Sequence, residues 1–243
     1  MFLFQEQFIF FPEKLRSDYK FTFTNDFEEI YITCRDGTLL HGLLFTSKNS
    51  KGLIYYLHGN AGSLKTWGDV ANTYTDLNYD VFILDYRGYG KSAGSISSEE
   101  QLYVDIQTAY TEMKKRYNEN KIIILGYSIG TGPAAKTASV NQPRLLILQA
   151  PYYSLTDLMK QLYPVLPTFI LKYKFENYKY LQGCKMPVVI FHGDADEIIP
   201  YKSAIKLNEV LKSTDRFITL QRQSHNGMTE NPEYLTELKA LLQ

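Results

Sequence analysis

The sequence is poor in the residues that mark several classes of protein. It has two cysteines, one tryptophan and four histidines in 243 residues, and 26 basic residues balance 26 acidic ones. Cys34 and Cys184 have neither a metal-ligand nor a redox spacing, so we expect two buried free thiols. The balanced charge and the lack of a basic run argue against a nucleic-acid partner.

Long apolar runs are also missing. None approaches the ~20 residues that span a bilayer, and the apolar start lacks the basic region of a signal peptide. We therefore expect neither a transmembrane helix nor a signal peptide. The expected location is the cytoplasm, with peripheral membrane attachment as the alternative. Without repeats or a break in composition, a single domain over residues 1–243 is expected.

What the sequence does contain is a series of short apolar and β-branched runs. Eight of them predict strands, at 28–34, 38–46, 53–58, 80–85, 121–125, 144–149, 187–192 and 216–221. The later runs are continuous rather than alternating, as in parallel strands that are covered on both faces. Asp36-Gly37 predicts a hairpin between the first two strands, and helical patterns begin at Ser97 or Ser98 and at Asn231.

This alternation predicts an α/β fold. The expected sheet is eight-stranded and mostly parallel, with helices on both faces and ligands beyond the carboxyl ends of its strands.

The segment Gly126-Tyr127-Ser128-Ile129-Gly130 follows one predicted strand directly and precedes a predicted helix. A serine on such a turn is held clear of the backbone, and small neighbours let the sharp turn form. Ser128 is therefore the candidate nucleophile.

A nucleophilic serine needs a base. His225 lies in a polar loop between the last strand and the last helix, so it is the candidate base. His41 lies in the hairpin, while His58 and His192 end strands directly before glycine, where an imidazole more often binds backbone groups.

Three aspartates compete to orient the base. Asp196 is favoured, because it lies two residues beyond Asp194 and farther from the strand end, where a side chain could meet the imidazole. Asp194 also fits a turn that bonds its own backbone. Asp157 is a third candidate, although it also fits a helix cap.

The loop His58-Gly59-Asn60-Ala61-Gly62 follows a strand, and its glycines let backbone N–H groups face a cavity. The amides of Asn60 and Ile129 are the expected oxyanion donors. The loop lacks a Walker or dinucleotide fingerprint. No cofactor and no metal site are therefore expected.

Residues 151–183 form an expected short helical cap that is rich in apolar side chains. Together with the turn at the nucleophile, it supplies the expected substrate contacts, which are Tyr127, Tyr152, Leu158, Leu162 and Leu166. Each buried methylene contributes ~0.8 kcal/mol, so an apolar wall of this kind suits a small-molecule or lipid-like acyl substrate.

The chain resembles the α/β-hydrolase fold serine hydrolases, whose order of residues is Ser, Asp, His. Within them it is similar to the short-capped α/β-hydrolase domain-containing proteins known as protein depalmitoylases and to their bacterial relatives. The likeness rests on Gln5-Glu6 to Phe11-Pro12, His58-Gly59-Asn60, Asp85 to Gly90, Gly126-Tyr127-Ser128, Ala150-Pro151-Tyr152, His192 to Pro200 and His225-Asn226.

The resemblance implies that Ser128 is the nucleophile, Asp196 the acid and His225 the base. It also implies cleavage of esters or thioesters through an acyl-enzyme. Related proteins often carry an N-terminal anchor or a lipidated cysteine-rich start, and we do not expect either here, so neither membrane attachment nor acyl-protein substrates are carried over.

Two alternatives remain beside this hypothesis. A serine aminopeptidase would need acidic groups for the substrate amine, and the cap offers mainly Asp157 and Glu176 against four lysines. A catalytically silent binding protein on the same fold predicts a broken triad, whereas all three residues are present.

Overall fold

The computed structural model describes residues 5–165 and 167–243. The strands in these residues are β1 (Phe11–Pro12), β2 (Phe27–Thr33), β3 (Leu39–Phe45), β4 (Leu53–Leu57), β5 (Ala61–Gly62), β6 (Asp80–Asp85), β7 (Ile122–Tyr127), β8 (Leu145–Gln149), β9 (Val188–Gly193) and β10 (Arg216–Leu220). The α-helices are α1 (Glu6–Ile9), α2 (Leu64–Trp67), α3 (Ala71–Thr75), α4 (Glu99–Arg116), α5 (Thr131–Ser139), α6 (Leu155–Leu162), α7 (Asn177–Leu181), α8 (Tyr201–Ile205) and α9 (Pro232–Leu242).

The main sheet has eight strands in the order β10-β9-β8-β7-β4-β6-β3-β2. The pairs from β10 to β6 are parallel, while β3 is antiparallel to both β6 and β2. All eight predicted strands are present, with bounds that differ by no more than two residues. The predicted α/β fold with a mostly parallel sheet is therefore confirmed.

The central strands are continuous apolar runs because both faces of the sheet are covered. On β4, Leu53, Tyr55 and Leu57 pack into the core on one face, where α4 and α5 lie. The alternate residues Ile54 and Tyr56 pack into the core on the other face, where α3 and α9 lie. Every residue of β4 is thus buried, and the strand carries no polar alternation.

Side-chain caps fix the two helices that the sequence predicted. Ser98 Oγ accepts a hydrogen bond from Gln101 N at 3.0 Å, so Ser98 rather than Ser97 is the cap of α4. Asn231 Oδ1 accepts from Glu233 N at 2.9 Å and Tyr234 N at 3.1 Å, and α9 begins at the next residue. Such caps stabilise a helix by ~1 kcal/mol.

The predicted cap segment 151–183 divides between two environments. Helix α6 is amphipathic and contains no fully buried residue. Helix α7, in contrast, packs against α5 and buries Asn177 and Leu181. The second half of the segment therefore belongs to the core, whereas Leu162 on α6 and Phe169 beyond it have exposed side chains.

One feature was missing from the sequence prediction, the N-terminal strap of residues 5–15. It contains α1 and then β1, which pairs in parallel with β5, with Phe11 opposite Ala61 and Pro12 opposite Gly62. A pair of two-residue strands has no periodicity that a sequence pattern could reveal. The strap crosses the carboxyl edge of the main sheet, where the loop after β4 begins.

The cysteines are free and buried, as expected. Burial raises the pKa of the Cys34 thiol to about 12, with a further contribution from the hydrogen bond to Asp105. Burial also raises the pKa of the Cys184 thiol to about 12. Both remain protonated thiols, which are poor nucleophiles. In the part of the chain that the structure describes, no helix is long and apolar enough to cross a bilayer.

Candidate active site

Ser128 lies between β7 and α5 in a strained backbone conformation, with φ of 54°. The turn forms only because its neighbours lack side chains. A Cβ on Gly126 would lie 2.6 Å from Ala134 Cβ, and one on Gly130 would collide with the carbonyl oxygen of Leu57. A non-glycine residue with positive φ at such a turn is a recurrent feature of functional sites.

The three side chains predicted from distant parts of the sequence meet at this turn. His225 Nε2 lies 3.0 Å from Ser128 Oγ, and His225 Nδ1 lies 2.8 Å from Asp196 Oδ2. All three residues are less than a tenth exposed. With Nδ1–H donating to the carboxylate, Nε2 is free to accept the serine proton.

The carboxylate of Asp196 is held by the loop that follows β9. Its Oδ1 accepts hydrogen bonds from Ile198 N at 2.9 Å and Ile199 N at 2.8 Å, which leaves Oδ2 directed at His225. Burial lowers the pKa of the neighbouring His192, and its Nε2 lies 2.9 Å from the carbonyl oxygen of Ile199. His192 therefore binds the backbone of this loop as a neutral side chain.

The other two candidate aspartates have different partners. Asp194 Oδ1 accepts from Arg222 N at 2.6 Å, which links the loops after β9 and β10. Asp157 accepts from Ser203 Oγ at 3.1 Å and pairs with Lys206 Nζ at 2.5 Å. Neither contacts the imidazole, so of the three candidate aspartates Asp196 is the one that reaches it.

Tyr127 connects the serine turn to the histidine loop. Its hydroxyl donates to the carbonyl oxygen of His225 at 2.9 Å and lies 3.2 Å from Asn226 Oδ1. The residue before the serine thus fixes the main chain that carries the imidazole. Tyr127 was predicted only as a substrate contact, and this second role depends on a contact that spans 98 positions of the chain.

The two residues predicted as oxyanion donors, Asn60 and Ile129, line the same cavity as Ser128. The side chain of Asn60 is held from two sides, because its Oδ1 accepts from Phe11 N at 3.2 Å and Tyr89 Oη at 3.2 Å. Tyr152 Oη donates to the carbonyl oxygen of Ile129 at 3.1 Å. One main-chain N–H, of Phe11, and two tyrosine hydroxyls, of Tyr89 and Tyr152, therefore hold the two segments that carry the predicted oxyanion donors.

The cavity over Ser128 has a volume of about 430 Å³. Of the predicted substrate contacts, Tyr127, Tyr152, Leu158 and Leu162 line it, while Leu166 lies outside the described residues. Leu158 and Leu162 are four residues apart on α6 and share one face with Leu155 and Met159. Leu171 of the predicted apolar cap also lines the cavity. The sequence prediction missed five further lining residues, which are Phe8, Ile9, Trp67, Ile198 and Ile199.

The polar groups of the cavity are few and converge on the serine. Asn60, Ser128, His225 and Asn226 are its polar lining residues, along with the tyrosine hydroxyls that bind the backbone. Among the described residues, no group of three or more histidine, cysteine, aspartate or glutamate side chains could hold a metal ion. The arrangement can therefore activate a serine hydroxyl next to an apolar ligand.

Comparison with known proteins shows relatives in sequence and in structure. The sequence model of the serine aminopeptidase S33 family matches residues 48–183. Protein bem46 of Schizosaccharomyces pombe is 31% identical over 84% of this chain and 72% of its own length. Alpha/beta hydrolase domain-containing protein 17B of Homo sapiens is 31% identical over 79% of this chain and 67% of its own length.

A solved structure with the same fold is the esterase Pf2001 of Pyrococcus furiosus. The two chains superpose with a TM-score of 0.76 at 18% identity, and 96% of each is covered. Two different comparisons thus agree on the α/β-hydrolase fold.

Proposed function

The chain belongs to the serine aminopeptidase S33 family of α/β-hydrolases, and within this family we propose that it cleaves carboxylic esters or thioesters with apolar acyl groups. The observation that supports this most directly is the hydrogen-bonded chain from Ser128 through His225 to Asp196, placed at an apolar cavity.

In the proposed reaction, Ser128 Oγ attacks the carbonyl carbon of the substrate while His225 Nε2 takes the hydroxyl proton. Asp196 stabilises the imidazolium that forms, and the amides of Asn60 and Ile129 donate to the oxyanion. The bond to the leaving alcohol or thiol then breaks, and the leaving group takes the proton from Nε2. The acyl-enzyme is hydrolysed by a water that the same imidazole activates, which restores the serine.

The charge of the cavity favours an acyl substrate over a peptide with a free amine. An aminopeptidase needs a carboxylate to hold the substrate ammonium, and none of the described residues that line the cavity is acidic. The two carboxylates that the cap offers are already paired, Asp157 with Lys206 and Glu176 with Lys179 at 3.4 Å. An apolar acyl chain needs no such partner and gains from each buried methylene.

The proposal is tested by turnover of p-nitrophenyl esters and acyl thioesters beside aminoacyl p-nitroanilides. We expect ester and thioester hydrolysis that falls more than about 10³-fold in Ser128→Ala. Ser224→Ala is the matched control, because Ser224 is exposed and lies next to His225. Faster cleavage of the anilides, or full ester turnover in Ser128→Ala, would refute the proposal.

A further inference from the structure

We propose that the N-terminal strap is a specificity element of this site, in which Phe8 and Ile9 form one wall of the acyl cavity and set the preferred acyl chain length. This inference rests on the proposed hydrolase function and names the part of the chain that selects its substrate.

Two short helices contribute apolar side chains to the cavity. Helix α6 contributes Leu158 and Leu162, and α1 contributes Phe8 and Ile9. An acyl chain bound at Ser128 would extend along these apolar side chains, because the polar lining residues are few and include the serine and its histidine. The contacts of the distal methylenes are therefore made by the strap as well as by the cap.

The two strap residues occupy different depths. Ile9 is half-buried and packs against the main hydrophobic core, whereas Phe8 is 68% exposed. Leu162 is 43% exposed and Ile198 is 51% exposed, so both lie with Phe8 at the mouth of the cavity. Ile9 is placed to contact the middle of a bound chain, and Phe8 its outer end.

The wall is held in place before a ligand binds, because the strap is tied to the cap. Tyr173 Oη donates to Glu6 Oε1 at 2.9 Å, and Lys172 N donates to Gln5 Oε1 at 2.9 Å. A wall fixed in this way loses little conformational entropy when the acyl chain binds.

The strap is also tied to the loops below it. Glu13 N donates to the carbonyl oxygen of Gly62 at 2.8 Å, and Gly90 N donates to the carbonyl oxygen of Glu13 at 2.8 Å. Phe11 N holds the side chain of Asn60, which belongs to the proposed oxyanion loop. The segment that carries Phe8 and Ile9 is thus fixed to the same loop that positions the ester carbonyl.

The chain offers a matched control on the same segment. Phe11 is 53% exposed, close to Phe8 in exposure, but it is not among the residues that line the cavity. Its contact with Asn60 is made by the main-chain N–H and remains in a Phe11→Ser variant. Each of the two substitutions replaces a phenylalanine by serine. Phe8→Ser does so inside the cavity, and Phe11→Ser does so outside it.

The test is the ratio of kcat/KM for p-nitrophenyl decanoate to that for p-nitrophenyl acetate. We expect this ratio to fall about tenfold in Phe8→Ser and in Ile9→Ala, since single apolar contacts discriminate by roughly this factor. Phe11→Ser is expected to keep the wild-type ratio. An unchanged ratio in Phe8→Ser and Ile9→Ala, or an equal fall in Phe11→Ser, would overturn the inference.

A binding measurement separates this inference from the proposed reaction. In a Ser128→Ala background, the fluorescent fatty acid 11-(dansylamino)undecanoic acid is titrated into each variant. A Kd that rises severalfold with Phe8→Ser or Ile9→Ala, but not with Phe11→Ser, supports the strap as an acyl wall even if no ester is hydrolysed. A Kd equal in all variants, or no binding at all, contradicts it.

Discussion

Two regions line the same cavity: the carboxyl edge of the sheet on one hand, and the cap together with the N-terminal strap on the other. They differ in how exposed their side chains are and in which elements carry them. Ser128, Asp196 and His225 stand on loops after β7, β9 and β10 and are between 6% and 8% exposed. Phe8 on α1 and Leu162 on α6, which also line the cavity, are 68% and 43% exposed. The proposed catalytic residues follow strands of the main sheet, of which β7 and β9 are buried throughout and β10 is partly exposed, while Phe8 and Leu162 stand on short surface helices.

This difference separates the proposed chemistry from the proposed selectivity. The triad depends on main-chain geometry, such as the two amides that hold Asp196 and the positive φ of Ser128. The outer part of the wall is formed by exposed side chains such as Phe8 and Leu162, whose size and polarity can be changed without removing a buried contact of the core. Substitutions in the proposed triad should therefore lower the turnover of all esters alike. Substitutions in the cavity wall should lower the turnover of long acyl esters most.

The largest effect is expected from Asp196→Asn. An asparagine of the same shape no longer accepts the Nδ1–H as a carboxylate, so the imidazole loses its orientation and its charge partner. We expect kcat to fall by a factor of about 10⁴, to the same extent for acetate and decanoate esters. Steady-state kinetics over the ester series measure both quantities.

Asp194→Asn is the control for this prediction. Asp194 accepts from Arg222 N rather than from the imidazole, so the amide oxygen of asparagine can replace its contact. Turnover within about threefold of wild type is expected. If the two variants lost activity equally, the assignment of Asp196 would fail.

The residues that lie together at the carboxyl edge of the sheet could be predicted from the sequence, because parallel strands bring their carboxyl ends to one side. A continuous run such as Ile122–Tyr127 identifies a buried strand, and a glycine-framed serine directly after it identifies a turn. The choice between Asp194 and Asp196 was less certain from the residues. Their positions differ by only two residues, and the partner of Asp194 is an amide on another loop.

The strap could not be predicted in the same way. Phe8 and Ile9 lie on a helix of four residues, too short for an amphipathic pattern, and β1 pairs with β5 over two residues. Its position depends on contacts with residues far along the chain, such as Glu6 with Tyr173. Local propensity carries no information on contacts of this range.

A smaller effect is expected from Leu158→Ala on α6. Loss of this side chain from the cavity wall removes apolar contact with a long acyl chain. The decanoate to acetate ratio of kcat/KM should fall about tenfold. Thr156→Ala is the control, since Thr156 lies on the same helix and lines a groove outside the site. An equal loss for acetate and decanoate would show that α6 supports the triad rather than selects the chain.

The smallest effect is expected from lowering the pH. It should reduce the stability of the strand ends that carry His58 and His192, without changing the selectivity set by the cavity wall. Burial lowers the pKa of His58, with Asp85 opposing, and likewise lowers the pKa of His192. In the folded protein both therefore take up a proton at a lower pH than in the unfolded chain, where protonation begins below a pH of about 6.5. Because the unfolded state then binds more protons, the free energy of unfolding falls as the pH falls.

Each of these histidines can contribute at most about 1.4 kcal/mol per pH unit to that fall. Thermal unfolding between pH 8 and pH 5 should show a decreasing Tm, with a shallower slope in His58→Gln and in His192→Gln. Residues 155–171 of the cap contain no histidine, so the decanoate to acetate ratio should stay constant over the range where the protein remains folded. If the decanoate to acetate ratio changed over the same pH range in which the Tm falls, the carboxyl edge of the sheet and the cavity wall would not be independent. The distinction between them would then be wrong.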